Sequence, residues 1–318
     1  MYSSITKLLT HLRGPSITIL CFHRVAQRGS PLAAVYPTAE QFAWKIQSVL
    51  EVMPIVPLQE ALLSLQTGQL KQSCAAITFD DGYLDNFDIA MPILNSLGAT
   101  ATFFVCTGFL GSTGLPGERL RSAMLANQKK DTNLDDLSLP SIQCGTSDQV
   151  LAQHSRLNMT FKRLSPQLRD TLCDRILERL DYQSSESIMM SPHHLQGLVR
   201  QGMAVGSHSH RHVIPTTVPM QEFEADLSQS FAVLKTVLGE QPKIYAYPNG
   251  KVETDFNASH RATLERCEVS FALSTQMGLI RRPFDQFNVR RFTPWESSKS
   301  AYKRRLLVGQ LYQSMAQP

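Results

Sequence analysis

The chain has 318 residues, 42% of them hydrophobic and 18% charged, and 31 Lys and Arg against 27 Asp and Glu give it a formal charge of +4. That composition excludes a disordered, collagen-like or coiled-coil chain. The charge bias is too small to imply a nucleic-acid partner.

In chain order, Ile5, Leu8, Leu9 and Leu12 predict one face of a short helix that either packs on the domain or makes peripheral contact with a membrane. Lys7, His11 and Arg13 interrupt it and no small-residue cleavage site follows, so it does not read as a secretory signal. No later stretch reaches the roughly 18 to 20 apolar residues of a transmembrane segment. Ser16 to Phe22 is a continuous apolar run, as in a strand buried on both faces, and it ends at His23-Arg24. Thr38 caps a predicted helix over 39–53. A short strand is expected at Ile55-Val56-Pro57, a helix over 58–65 and a strand over 75–79 that ends at Asp80-Asp81-Gly82. A helix over 86–97 and a strand over 100–105 complete a β-α-β unit.

Residues 111–190 are more polar, with helical periodicity clear only at 164–180, and read as an insertion within a single domain. Ser191-Pro192 then starts a helix. A strand at 203–205 runs into Gly206-Ser207-His208, 223–238 is amphipathic, and further strands are expected at 244–247, 269–273 and 288–292. Strands alternating with helices predict an α/β domain with a parallel sheet, its site at the C-terminal ends of the strands. The six cysteines form no CxxC pair, so reduced thiols and a cytoplasmic address are expected.

The predicted strand ends collect His23-Arg24, Asp80-Asp81 and the run His208-Ser209-His210-Arg211-His212. Adjacent aspartates repel unless a cation or a shared proton offsets them. Imidazole with carboxylate suits a divalent metal such as zinc, and a three-ligand site leaves a position for water. One aspartate is then spare to act as general base, which points to hydrolysis of a carbonyl compound; the residues alone do not say which.

Thr78-Phe79-Asp80-Asp81-Gly82-Tyr83 resembles the first motif of the polysaccharide deacetylases (NodB-homology domain, carbohydrate esterase family 4), and His208 to His212 resembles their second. Cys21 to Val25 and Tyr245 to Gly250 are similar to segments of a bacterial exopolysaccharide- or capsule-type branch. The resemblance covers about residues 15–110 and 190–293. It implies a distorted (β/α) barrel of about seven strands, here with a mainly helical insertion at 111–190. It also implies Asp81, His208 and His212 as ligands of a divalent metal, zinc first with cobalt, nickel or manganese as substitutes. Asp80 becomes the general base and the Tyr83 N–H an oxyanion donor, with Tyr247, Pro248 and Asn249 beside the substrate. Two departures stand out. Ala246 occupies the place where many members carry an arginine that pairs with the base, and Arg291 is the candidate substitute. The family's late histidine acid is missing, and His23 is the candidate in its place. The implied reaction is N-deacetylation of an amino sugar in a polysaccharide or in its lipid- or nucleotide-linked precursor. Deformylation, O-acetyl ester hydrolysis and a catalytically weak glycan-binding module are the alternatives.

Overall fold

The structure of the protein, a computed structural model, describes residues 2–293 and 296–311. Seven parallel strands form one sheet in sequential order: β1 (Ile17–Phe22), β2 (Cys74–Phe79), β3 (Ala101–Val105), β4 (Ala204–Ser207), β5 (Ile244–Ala246), β6 (Phe271–Met277) and β7 (Val289–Arg291). Just past β7, Phe292 bonds back to β1: Cys21 N–H donates to its carbonyl at 2.9 Å, and its N–H donates to Ile19 at 2.7 Å. These bonds draw the sheet into a nearly closed barrel. The distortion is local, because β4 meets β5 only where Ser207 lies opposite Tyr245, and the register shifts between β6 and β7.

Burial explains the apolar runs. Every residue of β1, β2 and β3 is buried, as in a sheet covered on both faces. On the outer face, Phe22, Phe79 and Phe103 stack in series beneath Phe42 of α2 (Ala39–Leu50). Side chains alternate along a strand, so the residues on either side of Phe79, Thr78 and Asp80, turn the other way, into the barrel. Thr38 caps α2, accepting from the Gln41 N–H at 3.3 Å while Gln41 Oε1 accepts from the Thr38 N–H at 3.0 Å. The strand expected at 55–57 is a single bridge from Ile55 to Ala75, since Pro57 has no N–H to extend a ladder. The helix expected over 86–97 is a π-turn at Asn86–Ala90 leading into α4 (Met91–Ser96), with Pro92 in the first turn of α4. The remaining outer helices before β3 are α1 (Tyr2–Arg13) and α3 (Leu58–Gln66).

Between β3 and β4 the chain leaves the barrel to build α5 (Pro116–Ala126), α6 (Ser147–Phe161) and α7 (Pro166–Arg179), and returns through α8 (Pro192–Arg200). α5 to α7 close over an apolar cluster of their own that includes Leu120, Met124, Val150, Leu157, Phe161 and Ile176. His154 of α6 is buried there, its Nε2 donating to the Gly117 carbonyl at 2.8 Å. Burial lowers its pKa from 6.5 to about 4, against the opposing pull of that carbonyl. The unfolded chain therefore binds the extra proton first as pH falls. His154 contributes fully above about pH 6.5 and loses its contribution, roughly 3 kcal/mol, by about pH 4. In urea titrations across this range the wild type should lose stability more steeply than His154→Gln; parallel curves would contradict the assignment.

After β4 come α9 (Met220–Leu238), α10 (Ala258–Arg266) and the C-terminal α11 (Lys299–Leu311). All six cysteines are unpaired, four of them buried. No helix among the described residues is long and apolar enough to cross a membrane.

Candidate active site

The parallel strands share one C-terminal mouth, and the polar residues gather there. His23 follows β1, Asp80 and Asp81 follow β2, His208 follows β4, and Arg291 ends β7. Asp81 stands at φ +75° and Gly82 at φ +93°. A Cβ on Gly82 would meet the Val105 side chain at 3.1 Å, so glycine lets this turn lie against β3. Asp81 lacks that freedom. Its left-handed backbone is held by the Cys106 N–H, which donates to its carbonyl at 3.1 Å.

Asp81 Oδ1 lies 3.5 Å from His208 Nε2 and 3.4 Å from His212 Nε2, and the three donor atoms fit within 4.8 Å of one another. His208 Nδ1 is 2.8 Å from the Ala246 carbonyl. A carbonyl only accepts, so Nδ1 carries a proton and donates to it, which leaves Nε2 facing the carboxylate. Burial lowers the His212 pKa to about 3 despite Asp81 beside it, so this ring is neutral at ordinary pH. Asp81 Oδ1 is buried without a hydrogen-bond donor. Electron pairs converging in a buried space repel unless a cation lies among them. One carboxylate with two imidazoles is a donor set that suits a divalent ion. This His/Asp group is able to hold a metal.

Asp80 is turned to a different partner. Its Oδ1 and Oδ2 accept from Arg291 Nη1 and Nη2 at 2.7 and 2.8 Å, and both side chains are 2% exposed or less. Burial alone would raise the Asp80 carboxyl, but the Arg291 guanidinium holds it far below the usual carboxylate range. Arg291 Nε donates to the Ser274 carbonyl at 3.0 Å, which fixes the fork from β6. The guanidinium that Ala246 cannot provide thus reaches Asp80 from β7.

The loop carrying His212 is shaped from two sides. Ser209 and His212 both have positive φ, +72° and +53°. Asp226 of α9 accepts from the Ser209 hydroxyl at 2.6 Å and from the His210 and Arg211 N–H groups at 2.8 Å. From the other side Arg169 of α7, itself 6% exposed, donates to the carbonyls of Arg211 at 2.7 Å and His212 at 3.3 Å. His210 turns away from the donor set to Thr107, 2.9 Å from its hydroxyl. Groups that orient a ligand are worth roughly 10- to 100-fold in metal affinity. Arg169→Ala should weaken zinc binding by that order in a chelator competition, and an unchanged affinity would show that the loop holds its shape without α7.

A cavity of about 450 Å³ lies in front of the donors, within the usual range for ligand sites. His23, Asp80, Asp81, Tyr83 and Asn249 line it. The helices of 111–190 add Glu118, Asn158, Lys162 and Arg169, and Tyr36 and Thr275 complete other parts of the wall. Among the described residues nothing accepts from the Tyr83 N–H. Two residues expected beside the substrate lie behind the cavity wall. Tyr247 is wholly buried, stacked on Phe256 at 3.6 Å with its hydroxyl bonded to the Phe287 carbonyl, and Pro248 is buried beside it; neither lines the cavity. Both shape the turn that presents Asn249, whose amide donates to Asp255 at 2.6 Å. Arg121 in the insertion is also committed inward, to Glu118 and to the Tyr36 hydroxyl.

Residues 67–271 match the family model described as polysaccharide deacetylase. Among curated proteins, YxkH of Bacillus subtilis (strain 168) is 27% identical over 95 residues, a match covering 30% of this chain and only a third (33%) of that protein's length. Among solved structures, IcaB from Ammonifex degensii aligns at a TM-score of 0.58 and 17% identity, over 94% of this chain and 98% of that one. Streptococcus pyogenes deacetylase PplD, solved in complex with acetate, aligns at 0.61 and 15%, over 93% and 98%. At such identities these two structures speak for a shared fold.

Proposed function

The chain belongs to the polysaccharide deacetylase family, and from that membership we propose that it is a divalent-metal hydrolase. Its reaction is removal of the N-acetyl group from an amino sugar, in a polysaccharide or in its lipid- or nucleotide-linked precursor. The observation that carries this reading is the pairing of two carboxylates with two fates: Asp81 faces His208 and His212, while Asp80, next in sequence, is bound to Arg291.

Asp81, His208 and His212 would hold the metal, zinc being the ion that this donor set fits best. When bound, it supplies Lewis acidity, polarising the acetyl carbonyl and making a water easier to deprotonate. Asp80 takes the proton from the attacking water. Arg291 keeps it ionised and aimed; the same pairing weakens it as a base, so it depends on that water being acidic. The unpartnered Tyr83 N–H donates to the oxygen that gains negative charge. His23, on the cavity wall, gives a proton to the leaving amine. Products are acetate and a free-amine sugar. Asn249, Asn158 and Lys162 line the space that the sugar would fill.

Acetate release from a panel of N-acetylated saccharides, with N-formylated and O-acetylated counterparts, tests this reading. Release from the N-acetyl compounds that stops on chelation and returns with zinc is expected. Activity that survives full chelation, or preference for formyl or ester substrates, would overturn it.

A further inference from the structure

The N-terminal helix has a face that the reaction above does not use. α1 turns Thr6 and Leu9 into the protein but leaves Ile5, Leu8 and Leu12 38%, 57% and 67% exposed. Spacings of three and four residues align these three side chains as one stripe. Beside it, Leu307 and Val308 of α11 join Ile5 and Leu9 in a shallow groove. The charge carried by the two helices has one sign. Neither α1 nor α11 contains an Asp or Glu. Lys7, Lys299 and Arg304 are exposed, and among the described residues none of them has an acidic partner. Two carboxylates that do reach α11, Glu51 and Glu296, are already paired with Lys303 and Arg305.

We propose that the α1–α11 face docks on an anionic lipid bilayer. Ile5, Leu8 and Leu12 enter the interfacial region, and Lys7, Lys299 and Arg304 meet the headgroup phosphates. An apolar stripe bordered by unpaired cations is complementary to such a surface. It is poorly complementary to itself, because a symmetric pairing of two copies would bring the same cations together. The attachment of α1 also leaves the reaction centre clear. Thr10 Oγ1 lies 2.7 Å from the hydroxyl of Ser73, just before β2 begins, and Arg281 donates to the carbonyls of Arg13 and Gly14 at 3.1 and 2.7 Å. Asp80 and Asp81 follow the far end of the same strand, roughly 20 Å away along six residues.

Co-sedimentation of the full chain with vesicles tests the proposal, using phosphatidylcholine alone and phosphatidylcholine mixed with phosphatidylglycerol. The wild type is expected to bind the mixed vesicles, less so as salt is raised. Lys7→Ser should lower the binding constant roughly fivefold, the worth of one basic residue at an anionic surface. Leu8→Glu with Leu12→Glu should abolish binding while leaving the thermal melt unchanged, since both positions are exposed. Three results would each overturn the proposal: no vesicle binding by the wild type, equal binding to both compositions, or full binding by the double variant. A wild-type dimer that the double variant loses, with no vesicle binding, would identify a second copy as the occupant and overturn it too.

Discussion

Asp80→Asn should cut the rate of acetate release by roughly 10²- to 10⁴-fold, the range set by removal of a general acid or base, while metal content stays at the wild-type level. The substitution keeps the size of the side chain and leaves an oxygen to accept from Arg291. It removes the negative charge and the proton-accepting role. Because the donor set is Asp81, His208 and His212, the ion should remain. Loss of metal in Asp80→Asn, with retention in Asp81→Asn, would reverse the two roles.

Arg291→Ala should destabilise the fold by roughly 3 to 5 kcal/mol, because it leaves the Asp80 carboxylate buried without its counter-charge. The pair is deeply enclosed: Arg291 is 2% exposed, and its three donors reach Asp80 twice and the Ser274 carbonyl once. Activity should fall as well, since nothing then holds the base ionised and aimed. Arg291→Lys is not a rescue, as an ammonium cannot make the two parallel bonds of the fork. Urea unfolding measures the first effect. A loss below about 1 kcal/mol would place this pair with the weak exposed kind.

The first strands of the barrel were legible because β1 and β2 are largely apolar runs, buried throughout, that give way to polar residues where they end, a pattern that follows from burial on both faces. Phe79 followed by Asp80 is the clearest case, since a strand wedged between barrel interior and outer helices admits charge only where it stops. Cys21-Phe22-His23 repeats the pattern at β1. Elsewhere the local signals are weaker. α6 starts at a capping box, Thr146 with Gln149, within a stretch of weak periodicity. Asp226, an acid at a core-facing position of α9 between Phe223 and Ser230, is the kind of misplaced polar residue that marks a positioning role. Arg169 had no such mark. Its function depends on α7 packing against the His212 loop, a contact between segments 42 and 43 residues apart that no periodicity encodes. Tyr247, which its motif would place beside the substrate, packs just past the end of β5 in a core formed with Phe256.

Calorimetric titration of zinc into chelator-stripped protein bears most directly on the arrangement of Asp81, His208 and His212. One ion per chain should bind the wild type tightly, and His212→Ala should reduce that affinity by orders of magnitude. Equal zinc affinity in wild type and His212→Ala would mean that these three side chains do not share a metal, and the proposed hydrolysis would lose its basis.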